Sequence, residues 1–199
     1  MIAIVDYGAG NLNSVKKAFT WLGFTVSVTT QPEVVAAADK IVLPGVGHFS
    51  ALAALTQTGL ANAVLTGLRS HKPFLGICLG MQWLFEGSEE AHDIAGAGIL
   101  PGVCAKFPTA VKVPHVGWNS LATKPSSRLL RGLTEHPFVY YTHSFYAPVV
   151  DSTTAESAYG PRFSAVVERD NIFGVQFHPE KSGEAGLSIL RAFCEMPPC

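Results

Sequence analysis

Short apolar runs alternate with stretches of helical spacing through the first hundred residues. Ile2 to Val5 is apolar and ends at Asp6, and the turn-rich "YGAGN" follows. Leu12, Val15, Phe19 and Leu22 then recur at helical spacing with Lys16 and Lys17 off that stripe, which predicts strand, loop, helix. "FTVSVTT" at 24 to 30 alternates and is rich in β-branched residues, which predicts a second strand. "KIVLPGVG" predicts a third strand ending in a Pro/Gly loop, and residues 51 to 69 carry helical spacing interrupted at Gly59. "PFLGI" predicts a fourth strand running straight into a helix from about Leu79 to Glu86. Strands separated by helices imply an α/β domain with a parallel sheet.

The texture changes after residue 98. "VCAKF", "AVKVPHVGW", "FVYYTHSFYAPVV", "TTAESAY", "SAVVERD" and "IFGVQF" read as strands with turns between them. They are expected to extend the sheet in antiparallel fashion or to form a small flanking sheet. A last helix puts Leu187, Leu190, Phe193 and Cys194 on one face, and "EMPPC" reads as a frayed tail. There is no internal repeat and no clear linker. The expectation is one domain over residues 1–199, with an open, mostly parallel central sheet flanked by helices and extra antiparallel strands in the second half.

Composition narrows the function classes. A chain of 199 residues hides roughly 70% of its unfolded surface on folding. Net charge is −1 and no Lys/Arg run occurs, which argues against nucleic-acid binding. No apolar run approaches the ~20 residues that span a bilayer. The start, "MIAIVDYGAGN", lacks the basic region and long apolar core of a signal peptide, so a cytoplasmic protein is expected. The four cysteines, Cys78, Cys104, Cys194 and Cys199, form no C-x-x-C pair and no zinc-site spacing with histidine. Reduced thiols are therefore expected, with Cys104 and Cys194 packing and Cys199 loose. The histidines show no i, i+4 pair, so no metal is expected.

Four motifs are candidates for chemistry. In "FLGICLGMQ", Gly76 and Gly80 flank Cys78 by two on each side, as in a nucleophile elbow with sulfur for oxygen. A following helix would offer free N–H groups that favour thiolate, and Leu79 N–H would face a bound oxyanion. The alternative is a small buried hydrophobe beside chance glycines. In "FGVQFHPEKSG", the strand is expected to end at Phe177, with His178 and Glu180 just beyond it. A Glu on one ring nitrogen leaves the other for a nucleophile, although a surface His-Pro-Glu turn has the same sequence. "PGVGHF" could supply a second oxyanion donor or be a plain turn; it is not a P-loop, lacking G-K-[ST]. "DYGAGN" has two glycines of a dinucleotide fingerprint, but Asn13 stands at the third position and no acidic residue closes the next strand. No cofactor is expected.

P-G-V-G, G-I-C-L-G-M-Q and F-H-P-E-K-S, in that order, resemble the class I (triad) glutamine amidotransferases. "DYGAGNLNSV", "PGVGHF", "KVPHVGWN" at 112 to 119, "YYTHSFYA" at 140 to 147 and "NIFGVQFHPEKSG" resemble the glutaminase-subunit branch of imidazole glycerol phosphate synthases. The likeness runs from Met1 to about Phe193. It implies that glutamine is the substrate, that Cys78 as thiolate attacks its side-chain amide, that His178 relays protons and that Glu180 orients His178. Backbone amides of Val46 or Gly47, with Leu79, are implied as the oxyanion hole. Gly45, Gln82, His143 and Ser144 are implied as glutamine-pocket residues. A (β/α)8-barrel cyclase is implied as the partner in a heterodimer. It receives the ammonia and makes imidazole glycerol phosphate and aminoimidazole carboxamide ribotide in histidine biosynthesis. Asn11, Trp118, Tyr140 and Lys181 are implied to face it, although Trp118 and Tyr140 also suit an aromatic core.

Overall fold

The computed structural model describes residues 1–197, so the expectation for Cys199 lies outside the described residues. An eight-stranded sheet runs in the order Val26–Thr29, Ile2–Val5, Lys40–Gly45, Phe74–Cys78, Ile172–Val175, Arg162–Arg169, Thr153–Ala158, Ala122–Thr123. The first five are mutually parallel and the rest join antiparallel, as expected of the second half. The central strands read as unbroken apolar runs because helices cover both faces.

Alternation along those strands sorts the core into two halves. Ile2, Ile4, Val42, Leu75 and Ile77 pack on one face, with Phe19, Ile189 and Phe193 of the first and last helices, Leu12–Trp21 and Gly183–Glu195. Val5, Ile41, Leu43 and Phe74 pack on the other, with Val35 of Pro32–Ala37 and Leu60 and Val64 of Leu60–Arg69. The helical stretch at 51 to 69 breaks at Gly59, where φ is +77° and the two arms bend by 86°. Among the described residues no single helix is long and apolar enough to cross a membrane.

Two small sheets flank the main one. Gly87–Ser88, Val103–Lys106 and Phe145–Tyr146 form one; His115–Ser120 and Phe138–His143 pair as an antiparallel ribbon. Both anticipated fates of the second half therefore occur.

Several boundaries differ from the pattern-based reading. The helix after Cys78 is one turn, Leu79–Gln82, and does not reach Glu86. The carbonyls of Trp83, Leu84 and Phe85 are taken by the N–H groups of residues 97 to 100, and the chain leaves the helical path. Strand Ile172–Val175 stops two residues before Phe177. Of "AVKVPHVGW" only the part from His115 pairs; Pro114 has no N–H to give a ladder. On the last helix, Ile189 is buried where Leu187 is only partly so. The helix Pro32–Ala37 is too short to show a period and was not anticipated. Nor does the tail fray at once: the buried Lys40 Nζ donates to the carbonyls of Phe193 and Met196.

Candidate active site

Cys78 sits at the carboxyl end of its strand, where open α/β sheets place their sites. Its φ is +52° and ψ −104°, a strained conformation for a non-glycine residue. The flanking glycines make that turn possible. A Cβ on Gly76 would lie 2.4 Å from the Gly80 carbonyl oxygen, and one on Gly80 would lie 1.8 Å from that of Leu43.

Sheet register brings the other motifs to this turn. Gly45 pairs with Cys78 on one side, and Val175 pairs with Ile77 on the other. Gly47, at φ +100°, and Leu79 line the same cavity as Cys78. Val46 lies between Gly45 and Gly47, half-buried. Gly45, offered as a glutamine-pocket residue, does not line the cavity; a Cβ there would meet the Tyr7 hydroxyl oxygen at 2.1 Å.

His178 and Glu180 come from the turn after the last parallel strand. His178 Nδ1 is 2.9 Å from Glu180 Oε1, and both side chains are almost fully buried. Among the described residues Nε2 has no hydrogen-bond partner. Burial alone would push this imidazole down, but the Cys78 thiolate and then Glu180 outweigh it and lift the pKa to about 10. The turn is laced to the ribbon: His178 N–H donates to the Tyr140 carbonyl, Tyr140 N–H to Ser182 Oγ, and Ser182 Oγ to the His178 carbonyl.

The cavity over Cys78, about 300 Å³, is walled by Gln82, Glu90, Thr142, His143, Ser144 and Phe145. Its size and polar lining suit a small polar molecule. His143 is supporting structure as well as wall. Its Nδ1 is 2.9 Å from the Phe145 carbonyl, a pure acceptor, so Nδ1 carries the proton and Nε2 accepts from His115 Nδ1 at 2.9 Å. Burial pushes the two imidazoles down, His143 to about 3 and His115 to about 4, so both are neutral near pH 7. Glu90 was missed by motif reading. One of its oxygens accepts from Phe49 N–H at 2.7 Å, and the carboxylate faces the cavity from a loop with no motif of its own.

The four partner-facing candidates lie around the ribbon. Trp118 and Tyr140 pair across it with rings 6.0 Å apart, and Lys181 Nζ lies 5.9 Å from the Tyr140 ring. Trp118 is 56% exposed and so is not core; Val116 and Phe138, unremarked in sequence, are 55% and 60% exposed on the same face. Asn11 is exposed at the start of a helix that packs against the turn Pro179–Lys181. Cys104 and Cys194 are packed in the core, and burial pushes both thiols up, Cys194 to about 12. Among the described residues no group of three His, Cys, Asp or Glu could hold a metal.

Known proteins resemble this chain over its whole length. The family model for "Glutamine amidotransferase class-I" matches residues 3–196. A protein of Methanothermobacter thermautotrophicus named imidazole glycerol phosphate synthase subunit HisH is 48% identical, covering 98% of each chain. One of the same name from Caldanaerobacter subterraneus is 44% identical and covers 100% of both chains. A solved glutamine amidotransferase superposes with a TM-score of 0.76 at 15% identity, over 98% of this chain and 100% of the other, a likeness of fold.

Proposed function

The chain belongs to the class I glutamine amidotransferases, in the branch of imidazole glycerol phosphate synthase glutaminase subunits, and from that premise we propose how its own residues perform the reaction. The protein hydrolyses glutamine to glutamate and ammonia for histidine biosynthesis. The observation that carries the reading of the site is Cys78 at positive φ, facing a cavity beside the buried His178–Glu180 pair.

Cys78 thiolate attacks the side-chain amide carbon of glutamine, forming a C–S bond. Imidazolium Nε2–H of His178 gives its proton to the departing ammonia, leaving a glutamyl thioester. His178 Nε2, now neutral, takes a proton from water as that water attacks the thioester carbon. The C–S bond breaks, glutamate leaves, and the thiolate–imidazolium pair is restored. Glu180 holds the ring through Nδ1 and stabilises its cationic form. Leu79 N–H, with Gly47 or Val46 N–H, receives the oxyanion of both tetrahedral states; one such donor is worth about 3 kcal/mol in the barrier. Glu90 and the Gln82 carbonyl accept from the glutamine ammonium group, and Ser144 closes the pocket. The whole chain acts as one amidotransferase unit, in keeping with a site that draws on the main sheet, the ribbon and the loop carrying Glu90 together.

The partner is a (β/α)8-barrel cyclase, which receives ammonia directly. Val116, Trp118, Phe138 and Tyr140 form an aromatic face suited to such a contact, with Lys181 and Asn11 at its edge. This face carries the Tyr140 carbonyl that holds His178, so docking acts on the site. Copurification with the cyclase, then glutamate release with and without it, tests this. A complex with faster release is expected, with Trp118→Ala weakening it at least tenfold, on the order of a hot-spot residue. Failure to form any complex overturns the docking proposal.

A further inference from the structure

We infer that Gln176 is a further catalytic residue of this site, its side-chain amide donating a hydrogen bond to the Cys78 sulfur. The assignment rests on the reading of Cys78 as the nucleophile. Gln176 is fully buried, the lone polar side chain between Val175 and Phe177, and its Nε2 is 3.7 Å from Cys78 Sγ. A buried amide needs partners at both ends, and here they fix which end faces sulfur.

The orientation follows from one backbone carbonyl. Phe145 C=O can only accept, so the Gln82 atom 2.9 Å from it is the amide nitrogen. That nitrogen's other partner, 3.2 Å away, is therefore an acceptor, the Gln176 oxygen. The Gln176 NH2 is left pointing at the sulfur. Phe145 C=O is itself held by His143, which His115 holds from the ribbon. A continuous hydrogen-bonded chain thus runs from the ribbon through His115, His143, the Phe145 carbonyl, Gln82 and Gln176 to Cys78.

The chain assigns two jobs to Gln82. Both of its N–H groups are spent on Phe145 and Gln176, and its carbonyl oxygen, with no partner among the described residues and not buried, opens to the cavity. Substrate held by that oxygen is coupled to the residue that holds the nucleophile. Gln176, by contrast, does not line the cavity and has no direct contact to offer glutamine's head group.

The test is alkylation of Cys78 by iodoacetamide across pH, which reads the thiolate without needing substrate. Gln176→Met keeps the length and removes the donor. It is expected to slow alkylation near pH 7 about tenfold, as for a hydrogen bond to a charged group, with the rate recovering to the parent's plateau in alkali. Its kcat for glutamine falls by a similar factor while KM changes less than about threefold, whereas Gln82→Met raises KM and slows alkylation together. A folded Gln176→Met protein with the parent's alkylation profile overturns the assignment. If Gln176→Met does not fold, Gln176→Glu decides in its place. It keeps the acceptor toward Gln82 and sets an oxygen against sulfur, so slowing of at least the same factor is expected near pH 7, and an unchanged profile overturns the assignment. A parent protein that alkylates normally yet never releases glutamate would instead refute the glutaminase reading.

Discussion

Cys78 is held in a strained conformation by its neighbours, and the two glycines beside it carry most of that constraint. Gly80 has no room at all for a methyl group, because the opposing atom is a backbone carbonyl in the adjacent strand. Gly80→Ala is expected to cost about 3 kcal/mol or more of stability, at the upper end of overpacking effects. Urea unfolding of the variant checks this; a midpoint equal to the parent's would show that the turn relaxes. The elbow and the His-Pro-Glu turn were legible in sequence because each is a compact pattern with its own geometry. Gln176 and Glu90 were not, since each is a single polar position whose partners lie far away in the chain. A lone Gln inside an apolar run was the available signal, as a buried amide must be satisfied.

At the scale of elements, strand order was more legible than element length. The run Leu79 to Glu86 is apolar enough for a core helix, but only one turn forms: Leu84 and Phe85 N–H bond three residues back, to the Met81 and Gln82 carbonyls, and Glu86 N–H goes to the distant Gly102 carbonyl. Such competition between distant segments leaves no trace in local periodicity. The free N–H groups at the elbow survive this shortening; the summed dipole of a long helix does not. On the antiparallel side, Glu168 pins the loop after Ala122–Thr123 to the sheet. Its carboxylate accepts from the N–H groups of Arg128 and Leu129 at 3.0 and 3.3 Å and from the Ser127 and Thr154 hydroxyls. Glu168→Ala strands these donors and is expected to destabilise by about 3 kcal/mol. A thermal midpoint unchanged from the parent's would contradict this account of the loop.

For the whole molecule, the buried imidazoles set the response to acid. Burial depresses His143 and His115 from 6.5 to about 3 and about 4, so the unfolded chain binds protons there that the folded chain refuses. Stability is therefore full above pH 6.5 and is lost as pH falls toward 4. His178 acts in the opposite sense: its raised pKa gives stability that is complete below 6.5 and lost as pH rises through about 10. Urea midpoints measured from pH 7 to pH 4 should fall, and His143→Gln should flatten that fall. A His143→Gln profile parallel to the parent's would contradict the assignment. The α/β class and the mixed sheet were legible because strand and helix periods differ strongly. The full extent of the ribbon's exposed face was not, since Val116 and Phe138, unlike Trp118, read in sequence like any half-buried strand.

The central claim is that Cys78 carries the hydrolysis of glutamine and that the ammonia goes to the cyclase. The most direct measurement compares parent and Cys78→Ala, each in complex with the barrel cyclase, for glutamate release and for product formation from glutamine or from ammonium salt. The account predicts that Cys78→Ala loses glutamate release and glutamine-dependent synthesis by at least about 10³-fold, as when a nucleophile is removed, while ammonium-dependent synthesis persists. Glutamate release by Cys78→Ala at the parent's rate would contradict it.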